Sequence, residues 1–387
     1  MNLIYFDNAA TTWPKPKETL RAMTQSQNDA GGNPGRSGHR SSIEAARIIY
    51  DTREAAANLF GVSDPCRIIF TKNATEALNI AILGLLKKGD HCVTSSMEHN
   101  SVLRPLRFLE ATRGVKISVV PAGEDGTINP ALIEKSLRRQ TRLLILGHAS
   151  NVTGAIAPIG EAAAIAVKHG IHFLVDAAQT AGSLPINIEG MNIDLLAFTG
   201  HKSLLGPQGT GGLYIREGLD ACIAPLMAGG TGSRSEFEEQ PDFMPDKYES
   251  GTPNTIGLAG LEAGMAFIRK KGVAAIRKKE LSLTKHFLSG LQKLPDIKVY
   301  GTANAEDRIA VVSFNIEGMM SSEVAFSLDE KYGILCRPGL HCAPAAHRTI
   351  GTFPQGTVRF GFGYYNTIRQ VEYALKALEE IARGNGK

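Results

Sequence analysis

The sequence has little cysteine, little net charge and no long apolar run, and each shortage excludes a class of protein. Its five cysteines among 387 residues are an odd number in a chain too long to need a disulfide framework. Lys and Arg exceed Asp and Glu by 42 − 38 = 4, and because the basic residues are scattered we expect no nucleic-acid partner. No run is long enough to span a bilayer and the first residues do not resemble a signal peptide, so we expect a cytoplasmic protein without membrane contact.

The sequence is rich, in contrast, in short apolar runs that alternate with helical patterns. Between Ser41 and Ile215 such runs are separated by stretches such as ATEALNIAILGLLKKG and IGEAAAIAVKHG. This alternation predicts an α/β fold with a mostly parallel, seven-stranded sheet and helices on both faces. The runs are CRIIF, HCVTS, KISVV, RLLILG, HFLVD, LLAFTG and GGLYI.

The pattern changes after an acidic stretch, punctuated by Gly and Pro, between Ala228 and Asn254. Its length and composition indicate a loop of the functional kind. Beyond it, helical patterns and short strand patterns predict a smaller α+β domain at the C-terminus. We therefore predict a large domain over residues 15–258 and a small domain over 259–387, joined by the N-terminal segment 1–14.

Polar side chains follow several of the apolar runs. His99 follows the second run, Asn151 the fourth, Asp176 ends the fifth, and His201 and Lys202 follow the sixth. Ligands of parallel sheets bind beyond the carboxyl ends of the strands. We therefore expect these residues to converge on one ligand.

Lys202 and Asp176 fit one cofactor chemistry when they are taken together. A partly desolvated lysine that faces other cations loses its proton readily and can form a Schiff base. Pyridoxal phosphate (PLP) needs such a lysine and an acidic partner for its ring nitrogen. Taken alone, Lys202 is more typical of a solvated surface lysine and Asp176 of a helix cap. Their order along the chain, one strand and helix apart, favours a PLP site.

The chain resembles the class V aminotransferase family of fold-type I PLP-dependent transferases, and within that family the type II cysteine desulfurases and selenocysteine lyases. The resemblance extends from YFDNAATT near the start to YYNT near the end. The strings that carry it are, in order, NPGRSGH, TKNATEALN, MEHNS, HASNVTG, VDAAQ, TGHKSLLGP, YESGTPN, RPGLHCAP and TVRFGFGYYNT.

The resemblance implies a PLP site assembled from many of these strings. It assigns phosphate contacts to Ala74, Thr75, Thr199 and His201, ring contacts to His99, Asn151, Asp176 and Gln179, and the Schiff base to Lys202. A helix start at Ala74 suits a phosphate, because the first-turn amides are free and the helix dipole is positive there. Gly251 and Thr252 would reach the phosphate of a partner subunit, which implies a homodimer.

Cys342 lies in a context unlike that of the other cysteines. Gly339 and the prolines Pro338 and Pro344 predict an exposed, bent loop, and a nearby cation such as Arg337 favours the reactive thiolate. The alternative is a zinc site, but the candidate ligands match no familiar spacing and we expect no metal. Those candidates are Cys336, His341, Cys342 and His347.

Within the resembled family, RPGLHCAP separates desulfurases from aminotransferases, because removal of sulfur needs a thiol that accepts it as a persulfide. The implied reaction converts L-cysteine to L-alanine, with Cys342 passing sulfur to an acceptor such as an iron–sulfur scaffold or a sulfur carrier. Arg359 would bind the α-carboxylate of the substrate, and Arg337, His39 and Asn151 would lie near the substrate. The resemblance implies that His99 acts with Lys202 and Cys342 in catalysis.

Several alternatives stay open at this point. They are a selenocysteine lyase acting on L-selenocysteine, a transaminase or β-lyase of the same fold, and a non-catalytic scaffold. The chain also departs from the type II pattern. It reads CAPAAHRTIG after the nucleophile position in place of a glutamine–proline form, and the acidic loop 233–247 has no counterpart that we can align. Both departures bear on substrate preference and on acceptor docking.

Overall fold

The structure of the protein, a computed structural model, describes residues 3–35 and 38–384. Arg36 and Ser37 of the NPGRSGH string lie outside the described residues. The helices are α1 (Lys17–Asp29), α2 (Arg40–Phe60), α3 (Ala74–Leu85), α4 (Asn100–Arg113), α5 (Pro130–Lys135), α6 (Ile159–His169), α7 (Thr255–Lys271), α8 (Val273–Leu291), α9 (Ser321–Tyr332), α10 (Pro344–Thr349) and α11 (Ile368–Gly384). Single 3-10 turns occur at Pro65–Arg67, Leu219–Cys222 and Ala305–Asp307.

The strands form three sheets. They are β1 (Ile4–Tyr5), β2 (Ile68–Thr71), β3 (His91–Ser95), β4 (Lys116–Val120), β5 (Thr141–Gly147), β6 (His172–Asp176), β7 (Leu195–Thr199), β8 (Gly211–Ile215), β9 (Ile297–Tyr300), β10 (Val311–Ile316), β11 (Ile334–Leu335), β12 (Arg337–Gly339) and β13 (Thr357–Gly361).

The large sheet has seven strands in the order β2-β8-β7-β6-β5-β3-β4. Each of the apolar runs supplies one of them, so this prediction is confirmed. Strand β8 is antiparallel to β2 and β7, and the other pairs are parallel. The runs are apolar throughout because both faces are covered. Leu143 and Ile145 of β5 face a core that includes α3 and α4, whereas Leu144 and Leu146 face a core that includes α2, α6 and α7.

The predicted smaller α+β unit is built on a four-stranded antiparallel sheet in the order β12-β13-β10-β9. Its apolar core contains residues of α8, α9 and α11. Phe287 of α8 stacks on Phe360 of β13, with the ring centroids 5.1 Å apart. The N-terminal segment joins this unit, because β1 pairs with β11 and both Ile4 and Phe6 lie in the same core.

In the sequence, helix α7 comes after the strands of the large sheet and before those of the four-stranded sheet. In the structure, it packs with the large sheet. Its residues Leu258, Leu261, Met265 and Ile268 belong to the core beneath the large sheet. The boundary predicted between residues 258 and 259 therefore falls within a helix of that core, and the division of the chain into domains stays a prediction. Among the described residues, no helix is both long and apolar enough to cross a membrane.

Candidate active site

A cavity that is partly open to solvent lies beyond the carboxyl ends of β3, β5, β6 and β7. This is where ligands bind to parallel sheets, since the loops that follow neighbouring strands meet at that edge. The cavity brings together most of the residues predicted to hold the cofactor. Those that line it are Ala74, Thr75, His99, Asn151, Asp176, Gln179, Thr199, His201 and Lys202.

Lys202 and Asp176 influence each other across this cavity. Burial lowers the pKa of Lys202 to about 8, an effect that Asp176 opposes and that Arg359 and Arg337 reinforce. Burial also raises the pKa of Asp176, which accepts a hydrogen bond from the backbone amide of Ala178 at 2.9 Å. The site thus provides an amine that is readily deprotonated and a carboxyl group in a low-dielectric setting.

The start of α3 forms the anion-binding end of the cavity. Asn73 caps the helix by accepting a hydrogen bond from the amide of Glu76, and the amides of the first helical turn have no partner within the helix. The hydroxyl of Thr75 lies 2.8 Å from that of Ser101, which in turn lies 2.9 Å from Nδ1 of His99. Ser101, the last residue of MEHNS, is not among the site residues predicted from the sequence.

The two histidines of the cavity are electrically neutral at pH 7. Burial, with a further contribution from Lys202, lowers the pKa of His99 to about 4, and the same two causes lower that of His201 to about 4. A neutral imidazole presents a flat face on which an aromatic ring can stack. Nδ1 of His201 is buried and has no hydrogen-bond partner among the described residues. Such an orphaned polar atom fits a phosphate oxygen.

The N-terminal segment fixes the backbone next to Lys202. Three donors converge on the carbonyl oxygen of His201: the amide of Thr12 at 3.0 Å, the hydroxyl of Thr11 at 3.1 Å and Nζ of Lys15 at 2.5 Å. The side-chain amide of Gln179 donates to the carbonyl of Ala9 at 3.1 Å. The N-terminal segment therefore holds two residues that line the cavity, His201 and Gln179, although it is more than 160 positions away from them in the sequence.

Arg359 lies buried on β13 beside the cavity. Its Nη2 donates to Oδ1 of Asp7 at 2.9 Å and its Nη1 to the carbonyl of Asn151 at 3.0 Å. Its Nε is buried without a hydrogen-bond partner among the described residues, which leaves a donor for a further acceptor such as a carboxylate. Arg337 is the cross-strand neighbour of Arg359, so both guanidinium groups lie on one face of the sheet. Asp7 is not among the site residues predicted from the sequence.

Cys342 lies in an exposed turn between β12 and α10, as predicted. His341 and Cys342 both have positive φ, of 49° and 59°. The side-chain amide of Asn151 donates to the carbonyl of His341 at 2.7 Å, and the backbone amide of Asn100 donates to the carbonyl of Cys342 at 2.8 Å. Nη2 of Arg337 lies 3.6 Å from Sγ of Cys342. The thiol and His99 line the same surface groove, which shares Thr75, His99 and Ser101 with the cavity.

The other cysteines have no place in this arrangement. Cys336 packs against the core of the smaller unit, and burial raises its pKa to about 12. Cys92 is buried, whereas Cys66 and Cys222 are half-buried, and every cysteine is free. Among the described residues, no cluster of three or more His, Cys, Asp or Glu side chains could hold a metal ion.

Three of the predicted residues lie away from the Lys202 cavity of their own chain. His39 is exposed and caps α2, where its Nδ1 accepts a hydrogen bond from the amide of Ser42. Gly251 and Thr252 are exposed and line a different, larger concavity that also includes Lys72. The chain by itself does not bring these three residues to the cofactor site.

A lysine and a carboxyl group at the carboxyl ends of a mostly parallel sheet, with a helix start to receive a phosphate, define a PLP-dependent enzyme of fold type I. The chain belongs to the aminotransferase class-V family, whose model matches residues 4–374. PLP is the cofactor of this family, and the residues of the cavity fit it.

Similar proteins share nearly the full length of the chain. A probable cysteine desulfurase of Methanothermobacter thermautotrophicus is 37% identical over 98% of this chain and 94% of its own. A cysteine desulfurase of Shigella flexneri is 31% identical over the same shares, 98% and 94%. The apo structure of a cysteine desulfurase from Thermococcus onnurineus superposes with a TM-score of 0.91 at 36% identity, covering 99% of this chain and 95% of that one.

Proposed function

We propose that this chain is a cysteine desulfurase that converts L-cysteine to L-alanine and carries the removed sulfur as a persulfide on Cys342. The observation that carries the proposal is the position of the Cys342 thiol, exposed at the mouth of the cavity that contains Lys202. A transaminase moves only protons and an amino group and has no use for a thiol there. The names of the similar proteins support the same activity.

Cofactor binding would use the groups described above. When bound, PLP supplies a ring that accepts electrons from the substrate's α-carbon. Ala74, Thr75, Thr199 and His201 would hold its phosphate, Asp176 would pair with its ring nitrogen, and His99, Asn151 and Gln179 would border the ring. Lys202 would attach it covalently.

The chain's own residues divide the remaining work. Arg359 holds the substrate's α-carboxylate through the guanidinium donor that Asp7 and Asn151 leave free. Its cross-strand neighbour Arg337 would lie near the substrate, whereas His39 would approach only the substrate of a partner subunit. The Lys202 amine takes the α-proton and later returns a proton to the product. Its lowered pKa keeps a substantial fraction of the amine unprotonated near neutral pH, as a base must be.

Sulfur transfer then balances as a redox step between the substrate's carbon and the sulfur of Cys342. Sγ of Cys342 forms a bond to the sulfur of L-cysteine while the carbon–sulfur bond of the substrate breaks. The bonding electrons stay with the substrate's carbon, which takes up a proton to become the methyl group of L-alanine. That carbon is reduced, and Cys342 is oxidised from a thiol to a persulfide. A thiol on an acceptor, such as an iron–sulfur scaffold or sulfur-carrier protein, removes the outer sulfur and restores Cys342.

A homodimer with shared sites is part of the proposal. Arg53 pairs with the carboxylate of Glu249 through both terminal nitrogens, at 2.8 and 2.9 Å, and the amide of Phe70 donates to the same carboxylate at 2.6 Å. Glu249 is thereby fixed, and the exposed residues Gly251 and Thr252 follow it at the surface. Leu226 and Met227 line the same concavity and are 45% and 46% exposed. Exposed apolar surface of this kind is typical of an interface.

The first prediction tests the role of Cys342. We expect Cys342→Ala to keep its PLP and to fail to form L-alanine from L-cysteine, because no thiol is present to take the sulfur. The measurement is L-alanine release, together with mass spectrometry of wild-type protein after one turnover without reductant, which should place one additional sulfur on Cys342.

Cys336→Ala is the matched control, since it removes a thiol six residues away that packs into the core. It should retain the wild-type rate. Wild-type turnover by Cys342→Ala on L-cysteine would contradict the proposal. L-selenocysteine serves as the comparison substrate, because selenium departs more readily than sulfur and its release depends less on the thiol.

A further inference from the structure

Helix α10 connects the Cys342 turn to the large sheet. Ala346 and Ile350 share a small apolar core with Met97 and Val152. Met97 lies two residues before His99, and Val152 follows Asn151 directly. The hydroxyl of Thr349 also hydrogen-bonds that of Ser96 at 2.9 Å. The helix that follows the thiol is thus anchored to the two turns that line the cofactor cavity.

One residue of α10 faces the turn itself. His347 is fully buried, and the centroid of its ring lies 5.4 Å from that of His341, with 42° between the ring planes. Nδ1 of His347 hydrogen-bonds the hydroxyl of Thr352 at 2.7 Å. Nε2 of His341 hydrogen-bonds the hydroxyl of Thr357 at 3.1 Å. Both rings are therefore held in place, one from the loop after α10 and the other from β13.

The turn needs such support because of its backbone. His341 and Cys342 are consecutive non-glycine residues with positive φ, a conformation that L-residues adopt at a cost. Such a conformation persists only where the surroundings determine it. Hydrogen bonds from Asn151 and Asn100 hold the two carbonyl groups. The side chain of His341 is held by its hydrogen bond with Thr357 and by the contact with the ring of His347.

We propose that His347 is a positioning residue for Cys342: its buried ring supports that of His341 and so maintains the left-handed turn that presents the thiol at the cavity. This inference rests on the proposed function, because it gives Cys342 the role of sulfur acceptor. His347 lines neither the cavity nor the groove that contains the thiol. It acts through His341 alone. The sequence CAPAAHRT, which departs from the type II pattern, supplies it.

The experiment compares two reactions of the same holoenzyme. Persulfide formation on Cys342 in a single turnover, followed by mass spectrometry, needs the thiol. Exchange of the α-proton of L-alanine in D₂O needs Lys202 and not Cys342. We expect His347→Ala to form the persulfide about tenfold more slowly, because the released turn leaves its strained conformation. We expect its PLP content and its proton exchange to match the wild type.

Arg348→Ala is the matched control. Arg348 is the next residue of the same helix, is exposed and packs over the ring of Phe353, so the substitution should leave both reactions unchanged. A wild-type rate of persulfide formation in His347→Ala overturns the inference. An equal loss in both reactions also overturns it, since the residue would then support the whole site and not the turn.

Thr352→Val decides the question if His347→Ala does not retain PLP. It removes the hydroxyl that lies 2.7 Å from Nδ1 of His347 and 3.5 Å from its carbonyl oxygen, and we expect persulfide formation to slow about threefold with proton exchange unchanged. Absence of any selective loss overturns the inference. Failure of the proposed function would be seen separately, as normal desulfuration of L-cysteine by Cys342→Ala.

Discussion

The chemistry of the Lys202 amine depends strongly on the surroundings of this group in the cavity. Burial lowers its pKa to about 8 in spite of Asp176, and Arg359 adds to the effect. An ordinary lysine is almost fully protonated at pH 8. Because only the free amine reacts with an aldehyde, the pKa predicts how fast the protein takes up its cofactor at a given pH.

We expect cofactor-free protein to attach PLP about tenfold faster at pH 9 than at pH 7, since a pKa of about 8 makes the free-amine fraction rise roughly tenfold over that interval. Absorbance follows the rate, and borohydride reduction with peptide mass mapping locates the attachment. Lys15→Arg is the control, because burial also lowers the pKa of Lys15 to about 8, and it should leave the attachment on Lys202. A label on Lys15, or a rate independent of pH, would contradict the assignment.

The residues that were predicted from the sequence and those that were missed differ in one respect. Lys202, Asp176 and Cys342 lie in strings whose neighbours make their chemistry recognisable. Asp7 and Lys15 are ordinary charged residues until the fold brings them to Arg359 and to the carbonyl of His201. No local sequence pattern predicts a contact between residues that are more than 180 positions apart.

Helices α3 and α4 begin side by side at the cavity, and hydrogen bonds link their first residues. Ser101 joins Thr75, at the proposed phosphate site, to His99, at the proposed ring site. Its backbone amide also donates to Nδ1 of His99 at 3.1 Å, which makes His99 the cap of α4. The link therefore holds a phosphate contact and a ring contact at a fixed separation.

We expect Ser101→Ala to weaken PLP binding about fivefold, because it removes a hydroxyl that hydrogen-bonds two cofactor residues, worth roughly 1 kcal/mol. The measurement is the dissociation constant of PLP for cofactor-free protein. Thr112→Ala is the matched control, since the Thr112 hydroxyl is exposed and bonds only within α4, to the carbonyl of Phe108. An unchanged dissociation constant in Ser101→Ala would show that the link does not matter for binding.

Regular elements were predictable where a local pattern determines them. The strands of the large sheet are continuous apolar runs. The sheet order was not predictable, because it depends on pairings between distant runs. The packing of α7 was not predictable either. Its pattern indicates a helix with an apolar face, but not which of two cores that face contacts.

In the single chain, part of the predicted cofactor site lies outside the cavity that contains Lys202. Thr252 lies in the concavity with Lys72, outside the cavity of Lys202. If the proposed dimer places Thr252 against the partner's phosphate, each site combines Lys202 of one chain with Thr252 of the other. Two different inactivating substitutions, one on each chain of a heterodimer, then fall on the same site and leave the other site intact.

We expect Lys202→Ala and Thr252→Glu each to inactivate the homodimer, the first by removing the essential amine and the second by placing a negative charge against the phosphate. In a heterodimer that carries one substitution on each chain, both defects fall on one site and the other site has Lys202 and Thr252 intact. Co-expression with two different tags and purification over both should give about half of the wild-type activity. The doubly substituted homodimer is the control and should stay inactive. An inactive heterodimer, or a wild-type protein that sediments as a monomer, would contradict the shared site.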